Sequence, residues 1–289
     1  MNIQWYPGHM TKTRRQIEAD LKLVDIVAEI IDARIPASSR NPDIDAICAG
    51  RPRLIVLNRA DQADPEQNRA WAAYFRSLGC SVLETDAKTG RGISQFSTVI
   101  QGALREQIAR WREKGQVGRP VRAMVVGVPN VGKSTFINKV AKKKSAKAGD
   151  RPGVTRGKQW VHVDQGLDLL DTPGILWPKF EDETTGMYLA FTGAVKDEIM
   201  DVETLGCHLM ALLGERYPRA LMDGYKLPEV PARGEENDVA WGYRLLQAAA
   251  ARRGMRISGN ELDTERMARV LLDEYRGGKL GRFTLEVPG

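Results

Sequence analysis

Eight consecutive residues, Gly127-Val128-Pro129-Asn130-Val131-Gly132-Lys133-Ser134, carry the pattern G-x-x-x-x-G-K-S. They follow a short apolar run that ends at Val126 and precede a segment of helical character that begins at Thr135. In a loop between a strand and a helix, the two glycines let backbone N–H groups converge on phosphates. The lysine can then reach the β- and γ-phosphates, and the serine can ligate Mg²⁺. We therefore predict a phosphate-binding loop rather than a chance match in a helix-capping turn.

A second motif, Asp171-Thr172-Pro173-Gly174, begins 38 residues after Lys133. It follows the apolar run Leu167 to Leu170, which has the length of a buried strand. An aspartate at the end of such a strand can bind Mg²⁺ through water, and the Gly174 N–H can contact a γ-phosphate. A plain β-turn is the alternative, but the spacing from the phosphate loop is typical of a nucleotide switch.

Thr155 lies between these two motifs, in the glycine- and proline-containing segment 149–156. A threonine in such a loop can bring its hydroxyl and carbonyl oxygens onto Mg²⁺ and the γ-phosphate when nucleotide binds. Thr155 is thus a candidate switch residue with a catalytic role and a candidate Mg²⁺ ligand, with an ordinary connecting loop as the alternative.

The segment Asn58-Arg59-Ala60-Asp61 resembles the N-K-x-D motif with which GTPases recognise guanine. An aspartate carboxylate accepts hydrogen bonds from guanine N1–H and N2–H₂ together, a pair of donors that adenine does not offer. Arg59 replaces the usual lysine, but its planar guanidinium can still lie over a base. The segment Thr85 to Gly90 resembles the S-A-K loop, in which the Ala87 N–H would meet guanine O6.

These motifs occur in an unusual order. The base-recognition segments, 58–61 and 86–88, precede the phosphate loop, Thr155 and Asp171, whereas most small GTPases have them last. The order is explained by a circular permutation, which is tolerable because domain termini often lie close together. The polar segment 112–120 would join the original ends.

With this order, the chain resembles the circularly permuted GTPases, and among them the bacterial ribosome biogenesis GTPase A family. The resemblance extends over essentially the whole chain and includes the segments 3–10, 32–36, 38–42 and 171–179. It implies a permuted Ras-like GTPase fold and a role late in the assembly of the large (50S) ribosomal subunit. It also implies a helical C-terminal domain that contacts ribosomal RNA, and no DNA partner.

The residue patterns themselves predict an α/β domain followed by an all-α domain. In the first two-thirds of the chain, short runs rich in Val, Ile and Leu alternate with helical patterns, for instance at Pro65–Leu78 and Ile93–Trp111. This alternation favours a mostly parallel sheet with helices on both faces. After about residue 180, helical periodicity dominates. We therefore expect a GTPase domain over 1–180 and a helical RNA- or ribosome-binding domain over 181–289.

Charge is unevenly divided between these two parts. Residues 1–179 carry 29 Lys and Arg against 18 Asp and Glu, whereas residues 180–289 carry 14 against 19. The basic first part favours an anionic partner. The 289 residues contain no apolar run long enough to cross a membrane. The three cysteines lack metal-ligand spacing, which suggests a reducing, cytoplasmic location.

The sequence leaves the catalytic group open. Many GTPases place a glutamine after D-x-x-G to orient the attacking water, but Ile175 stands there. The family resemblance points to His9 as the catalytic residue, whereas composition alone favours a turn-packing histidine. The resemblance also points to Asn130 as a ligand of K⁺, with loop stabilisation as the alternative.

Three functions remain open: a ribosome-stimulated GTPase, a GTP-sensing RNA-binding module with little hydrolysis, and a stand-alone NTPase. The expected ligands are GTP or GDP, Mg²⁺ and K⁺. The residues that we expect to contact the nucleotide are Asn58, Arg59, Ala60, Asp61, Asp86, Ala87, Lys88, Asn130, Val131, Gly132, Lys133, Ser134, Thr135 and Gly174.

Overall fold

The computed structural model describes residues 15–142, 159–164, 166–172, 182–195 and 201–289. The chain divides into two compact units. One unit comprises residues 182–285, and the other contains the described residues up to 172 together with residues 286–289.

The first unit is built on one six-stranded sheet. Its strands are β1 Ile26–Asp32, β2 Arg53–Asn58, β3 Ser81–Glu84, β4 Val121–Val126, β5 Gln159–Asp164 and β6 Leu167–Asp171. The strand order is β3-β2-β1-β4-β6-β5, and every neighbouring pair is parallel except β5 with β6. Its helices include α1 Pro42–Ile47, α2 Pro65–Ser77, α3 Phe96–Ala103, α4 Arg105–Glu113 and α5 Lys133–Lys142. The predicted mostly parallel α/β architecture is confirmed.

The central strands are buried on both faces. All seven residues of β1 and the last four of β4 are buried, as their apolar sequences predict for strands covered by helices on both sides. Phe96 of α3 and Phe136 of α5 meet edge to face, with ring centroids 5.0 Å apart. This packing fixes α5, and therefore the loop before it, against the sheet.

The helix predicted at Pro65–Leu78 is present as α2. Asp64 caps it by accepting hydrogen bonds from the Glu66 and Gln67 N–H groups, and Pro65 occupies its first turn. The continuous helix predicted over 93–111 is wrong, because the chain breaks at Leu104 between α3 and α4. Leu104 is buried, whereas no residue of α4 is, so the break buries one leucine and leaves a polar helix at the surface.

The second unit is helical, as predicted. Its helices are α6 Glu183–Phe191, α7 Val202–Arg216, α8 Pro218–Tyr225, α9 Asp238–Arg252 and α10 Thr264–Arg276. Glycines set the closest helix contacts: a Cβ atom on Gly242 of α9 would lie 1.9 Å from the Cys207 carbonyl oxygen of α7. Across the described part of the chain, none of the helices combines the length and apolar character that a membrane span requires.

The direction of the strand order reverses between β1 and β4. From β1 the chain continues to β2 and β3 on one side, whereas β4 neighbours β6 on the other. Open α/β sheets bind ligands where the strand order reverses in this way. The ends of β2, β4 and β6 carry Asn58, the phosphate loop and Asp171, so the predicted site residues lie along one edge of the sheet despite their separation in sequence.

Candidate nucleotide-binding site

The Asn58 side chain joins three of the predicted motifs. Its Nδ2 donates a hydrogen bond to the Val131 carbonyl oxygen at 2.7 Å. Its Oδ1 accepts hydrogen bonds from the Thr85 hydroxyl at 3.2 Å and from the Ala87 N–H at 3.0 Å. Asn58 is only 2% exposed, so one buried amide fixes the base-recognition loops relative to the phosphate loop.

Two glycines allow the phosphate loop to pass close to these strands. A Cβ atom on Gly127 would lie 2.6 Å from the Ile30 carbonyl oxygen of β1. A Cβ atom on Gly132 would lie 2.5 Å from Asn58 Nδ2, and Gly132 has a φ of +92°. Side chains adopt this backbone conformation rarely, and the three hydrogen bonds of Asn58 prevent it from moving aside. Both glycines of the motif are therefore required by local geometry.

Arg59 and Asn130 connect the two loops a second time. The Arg59 guanidinium donates a hydrogen bond from Nη2 to the Asn130 carbonyl oxygen at 2.9 Å. Both residues have positive φ, 59° for Arg59 and 61° for Asn130. Such values are uncommon outside glycine and mark backbone that its surroundings hold in place. Arg59 therefore bridges the base-recognition loop and the phosphate loop.

Asp86 shapes the loop that carries Ala87 and Lys88. Its carboxylate accepts hydrogen bonds from the Lys88 N–H at 2.9 Å, the Thr89 N–H at 3.2 Å and the Thr89 hydroxyl. Burial alone would raise the pKa of Asp86, but these hydrogen bonds outweigh burial and leave the pKa below its usual value. The Ala87 N–H, which the sequence assigned to guanine O6, donates to Asn58 in the structure. A contact with O6 would therefore have to share this donor.

Asp61 carries a buried acceptor at the end of the N-R-A-D segment. Its Oδ1 is buried and makes no hydrogen bond with any described residue. Buried side-chain oxygens in folded proteins are nearly always hydrogen-bonded, so an exception needs an explanation. A ligand that donates hydrogen bonds to this carboxylate would remove the cost of burying it.

Lys133 connects the phosphate loop with the end of β6. Its ammonium lies 3.1 Å from Asp171 Oδ1 and also donates to the Thr172 carbonyl oxygen. The Thr172 hydroxyl in turn donates to the Val125 carbonyl oxygen of β4 at 2.7 Å. The structure thus brings Lys133 of the phosphate loop into an ion pair with Asp171 at the end of β6.

The first turn of α5 offers the remaining phosphate and metal groups. Lys133, Ser134 and Thr135 open this helix, and the side chains of the last two are exposed. The first N–H groups of a helix have no partner within it and attract anions. The Ser134 hydroxyl and the Asp171 carboxylate are hard oxygen donors of the kind that Mg²⁺ prefers, and Mg²⁺ usually takes only one or two ligands from the protein beside phosphates and water. These residues therefore fit a magnesium–nucleotide site.

The sequence did not reveal a buried ion pair at the end of β1. Arg34 and Asp32 form two side-chain hydrogen bonds of 2.9 and 2.7 Å, and both residues are at most 1% exposed. Burial would raise the pKa of Asp32, but the Arg34 guanidinium holds it below its usual value. Arg59 Nε lies 3.7 Å from Asp32 Oδ2, so this pair adjoins the base-recognition loop. A charged Asp-x-Arg directly after a buried strand is the signal that could have identified it.

Three predicted site residues, His9, Thr155 and Gly174, lie outside the described residues. All other predicted nucleotide-contacting residues lie at the carboxyl edge of the sheet or in the loops and helix that follow it.

Comparisons with known proteins agree with this geometry. A family model described as a 50S ribosome-binding GTPase matches residues 122–208. Ribosome biogenesis GTPase A of Priestia megaterium is 47% identical over 289 residues, which cover 100% of this chain and 98% of the relative. Its counterpart in Bacillus cereus is 45% identical over 288 residues, 100% of this chain and 95% of the relative.

Two solved structures from Thermotoga maritima share the fold. The GDP-bound structure of YlqF has a TM-score of 0.67 and 27% sequence identity, and the match covers 95% of this chain and 99% of that one. The GNP-bound structure of YlqF has a TM-score of 0.63, also at 27% identity, with 96% and 98% covered. The matched fold, the permuted motif order and these relatives together show a guanine-nucleotide-binding GTPase.

We predict that Gly132→Ala will weaken guanine-nucleotide binding about tenfold or more, because the strained φ alone costs roughly 1–2 kcal/mol and the new Cβ atom displaces Asn58. Affinity for a fluorescent GDP analogue would be measured by titration. Gly118→Ala is the matched control, because Gly118 has a φ of +81° but nothing lies within 4 Å of the added atom. Equal affinities for the two variants would contradict the role assigned to Asn58.

We predict that Asp61→Asn will lower GTP affinity about 10- to 100-fold and transfer preference to xanthosine triphosphate. The new amide N–H₂ opposes the guanine N2–H₂ but can donate to the xanthine O2. Competition between the two nucleotides for the variant checks this. Glu66→Gln, at an exposed position five residues away, should leave the guanine preference intact, and an unchanged preference in Asp61→Asn would exclude Asp61 from base recognition.

Proposed function

The chain belongs to the ribosome biogenesis GTPase A family, and we propose that it hydrolyses GTP in late assembly of the large ribosomal subunit. Its role as a GTPase in ribosome biogenesis follows from the family. The large subunit as the specific partner is supported above all by the family model for 50S ribosome-binding GTPases, whose match extends from β4 through the phosphate loop and Asp171 to α7.

Mg²⁺ is part of this proposal. Ser134 and Asp171 would hold the ion, which neutralises charge between the β- and γ-phosphates when bound. Lys133 positions its ammonium at the same edge of the sheet, within reach of Asp171. Gly132 and the N-terminus of α5 orient the phosphates, and Asp61 selects guanine.

The group that activates the attacking water is none of these phosphate- and base-binding residues. Ile175, the residue directly after the D-T-P-G motif, has no hydrogen-bonding side chain, so it cannot supply this group. We assign this role to His9, because an imidazole can orient or deprotonate water. Thr155 would contribute oxygen ligands to Mg²⁺ and the γ-phosphate.

A bound K⁺ ion is the second part of the catalytic proposal. Asn130 is exposed at the bend of the phosphate loop, and Arg59 holds its carbonyl oxygen. An amide oxygen at this point can ligate a monovalent cation beside the phosphates. The cation would stabilise the charge that develops during hydrolysis, as an arginine does in other GTPases.

Ribosomal RNA contacts are supported by basic surface on the first unit. The segment 105–122 carries six basic residues, Arg105, Arg110, Arg112, Lys114, Arg119 and Arg122, against two glutamates. The Arg119 guanidinium lies 4.0 Å from the centre of the Trp111 ring and pairs with Asp25 at 2.9 Å, so the other five basic residues would make the main contacts with RNA phosphates. Further basic residues near the start of the chain and after α5, Lys12, Arg14, Lys143, Lys144 and Lys147, lie outside the described residues.

The helical region 181–289 is proposed as the second RNA- or ribosome-binding element, although residues 286–289 belong to the first unit. Its net negative charge requires that its contacts be local, for example through Arg252 and Arg256, both exposed. A cytoplasmic location fits the three cysteines, none of which forms a disulfide.

We predict that purified large ribosomal subunits will stimulate GTP turnover at least about tenfold, because the water-activating group reaches its position only when the protein binds the subunit. Phosphate release would be measured with large subunits, with small subunits and with neither. Turnover that is equal under all three conditions would indicate a stand-alone NTPase. Nucleotide binding without turnover under any condition would indicate a GTP-sensing module.

We predict that His9→Ala will abolish most of this stimulation, a loss of about tenfold or more in stimulated turnover, while GTP affinity stays unchanged. The matched control is His162→Ala, because His162 is exposed on β5 and pairs only with Asp168 among the contacts described. Full stimulated turnover in His9→Ala would remove His9 from the mechanism.

We predict that replacing K⁺ by Na⁺ will slow hydrolysis several-fold in the wild type and have no effect in Asn130→Ala. The larger ion fits a site made of amide and phosphate oxygens, whereas the variant lacks its protein ligand. Single-turnover rates in matched chloride buffers check this, and equal wild-type rates in both salts would eliminate the ion from the mechanism.

A further inference from the structure

The segment 286–289 returns to the GTPase unit and places a carboxylate on the turn after β1. Glu286 Oε2 accepts a hydrogen bond from the Ala37 N–H at 2.6 Å, and Oε1 accepts one from the Ser38 N–H at 3.0 Å. The Ser38 hydroxyl donates to the same Oε1. The Glu286 carbonyl oxygen accepts a further hydrogen bond from Trp71 Nε1 at 3.2 Å. Four donors thus fix one glutamate, 248 residues away in sequence from Ser38.

The turn held by Glu286 controls the backbone at the end of β1. Ser39, next to Ser38, accepts the Asp32 N–H on its hydroxyl oxygen at 2.9 Å and donates to the Ile35 carbonyl oxygen at 2.7 Å. Ser38 and Ser39 are at most 5% exposed, so the turn cannot exchange these contacts for water without opening. The position of Asp32 therefore depends on the position of the turn.

Asp32 connects the Ala37–Ser38 turn with the nucleotide site. Its carboxylate binds Arg34 on one side and lies 3.7 Å from Arg59 Nε on the other. Arg59 then donates to the Asn130 carbonyl oxygen in the phosphate loop. A continuous set of polar contacts therefore links Glu286 to both the base-recognition loop and the phosphate loop.

We propose that Glu286 is a positioning residue for guanine-nucleotide binding, acting through the Ala37–Ser38 turn, Asp32 and Arg59. No described contact places Glu286 at the nucleotide itself. Glu286 restricts the conformations that Arg59 can adopt before nucleotide binds. Pre-organisation of this kind raises nucleotide affinity without adding a contact. By linkage, bound nucleotide must stabilise the docked carboxylate by the same factor. The proposal rests on the GTPase activity but not on the identity of the ribosomal partner.

The test uses the full chain and a double-mutant cycle. Glu286→Ala should weaken GDP and GTP binding by about five- to fiftyfold, the usual range of coupling between sites. Glu286→Gln should fall in between, because one amide oxygen can still accept hydrogen bonds from the turn. In an Arg59→Ala background, Glu286→Ala should have an effect of less than about twofold, because the contact through which it acts is already lost.

The matched control is Val287→Ala, because Val287 is the next residue and 63% exposed; its nucleotide affinity should equal that of the wild type. Hydrogen exchange gives the reciprocal readout: bound GDP should slow exchange of the Ala37 and Ser38 N–H groups in the wild type but not in Arg59→Ala. If Glu286→Ala does not fold, Glu286→Gln replaces it in the double-mutant cycle with Arg59→Ala.

Two outcomes would overturn the proposal. One is unchanged nucleotide affinity in folded Glu286→Ala or Glu286→Gln. The other is the same loss of affinity with and without Arg59, which would show that Glu286 only stabilises the fold. Neither result depends on ribosome-stimulated turnover, so failure of the proposed large-subunit role would remain distinguishable.

Discussion

The nucleotide site depends on the buried amide of Asn58. A carboxamide carries a donor N–H₂ group and an acceptor oxygen side by side on one neutral side chain, and Asn58 uses both functions. The partners come from the phosphate loop and from the loop after β3, so loss of the amide would leave buried polar groups on both sides without partners. The cost of such groups is larger than the gain from an average hydrogen bond, which makes the arrangement of the loops specific rather than merely stable.

The permutation leaves this arrangement intact because the site is made by strand ends and not by chain order. Parallel strands present their carboxyl ends at one edge of a sheet, whichever of them is first in the sequence. β2 and β4 are separated by β1, yet Asn58 and Val131 meet across its carboxyl end. What the permutation changes is the connection: α4 and the loop after it lead into β4, where most GTPases would have a chain terminus.

The sequence predicted the site motifs better than the contacts among them. The phosphate loop, the N-R-A-D segment and Asp171 were identified because their chemistry needs certain residue types at fixed local spacing. The sequence did not predict the helix break at Leu104. A leucine at helical spacing looks like part of a continuous buried face, whereas the residues after Leu104 lie at the surface. The contact between Glu286 and Ser38 was missed for another reason: it joins residues 248 positions apart, and no local pattern encodes such a pairing.

Arg59 shows how a departure from a motif can have a structural cause. Where related GTPases carry lysine, this chain has a guanidinium that reaches Asp32 through Nε and the Asn130 carbonyl oxygen through Nη2. A lysine ammonium is a single point and could not make both contacts in this geometry. The buried Asp32–Arg34 pair holds the carboxylate that Arg59 Nε approaches, so it belongs to the same set of contacts. At this position a lysine would only cover the base, whereas the arginine also connects the end of β1 with the phosphate loop.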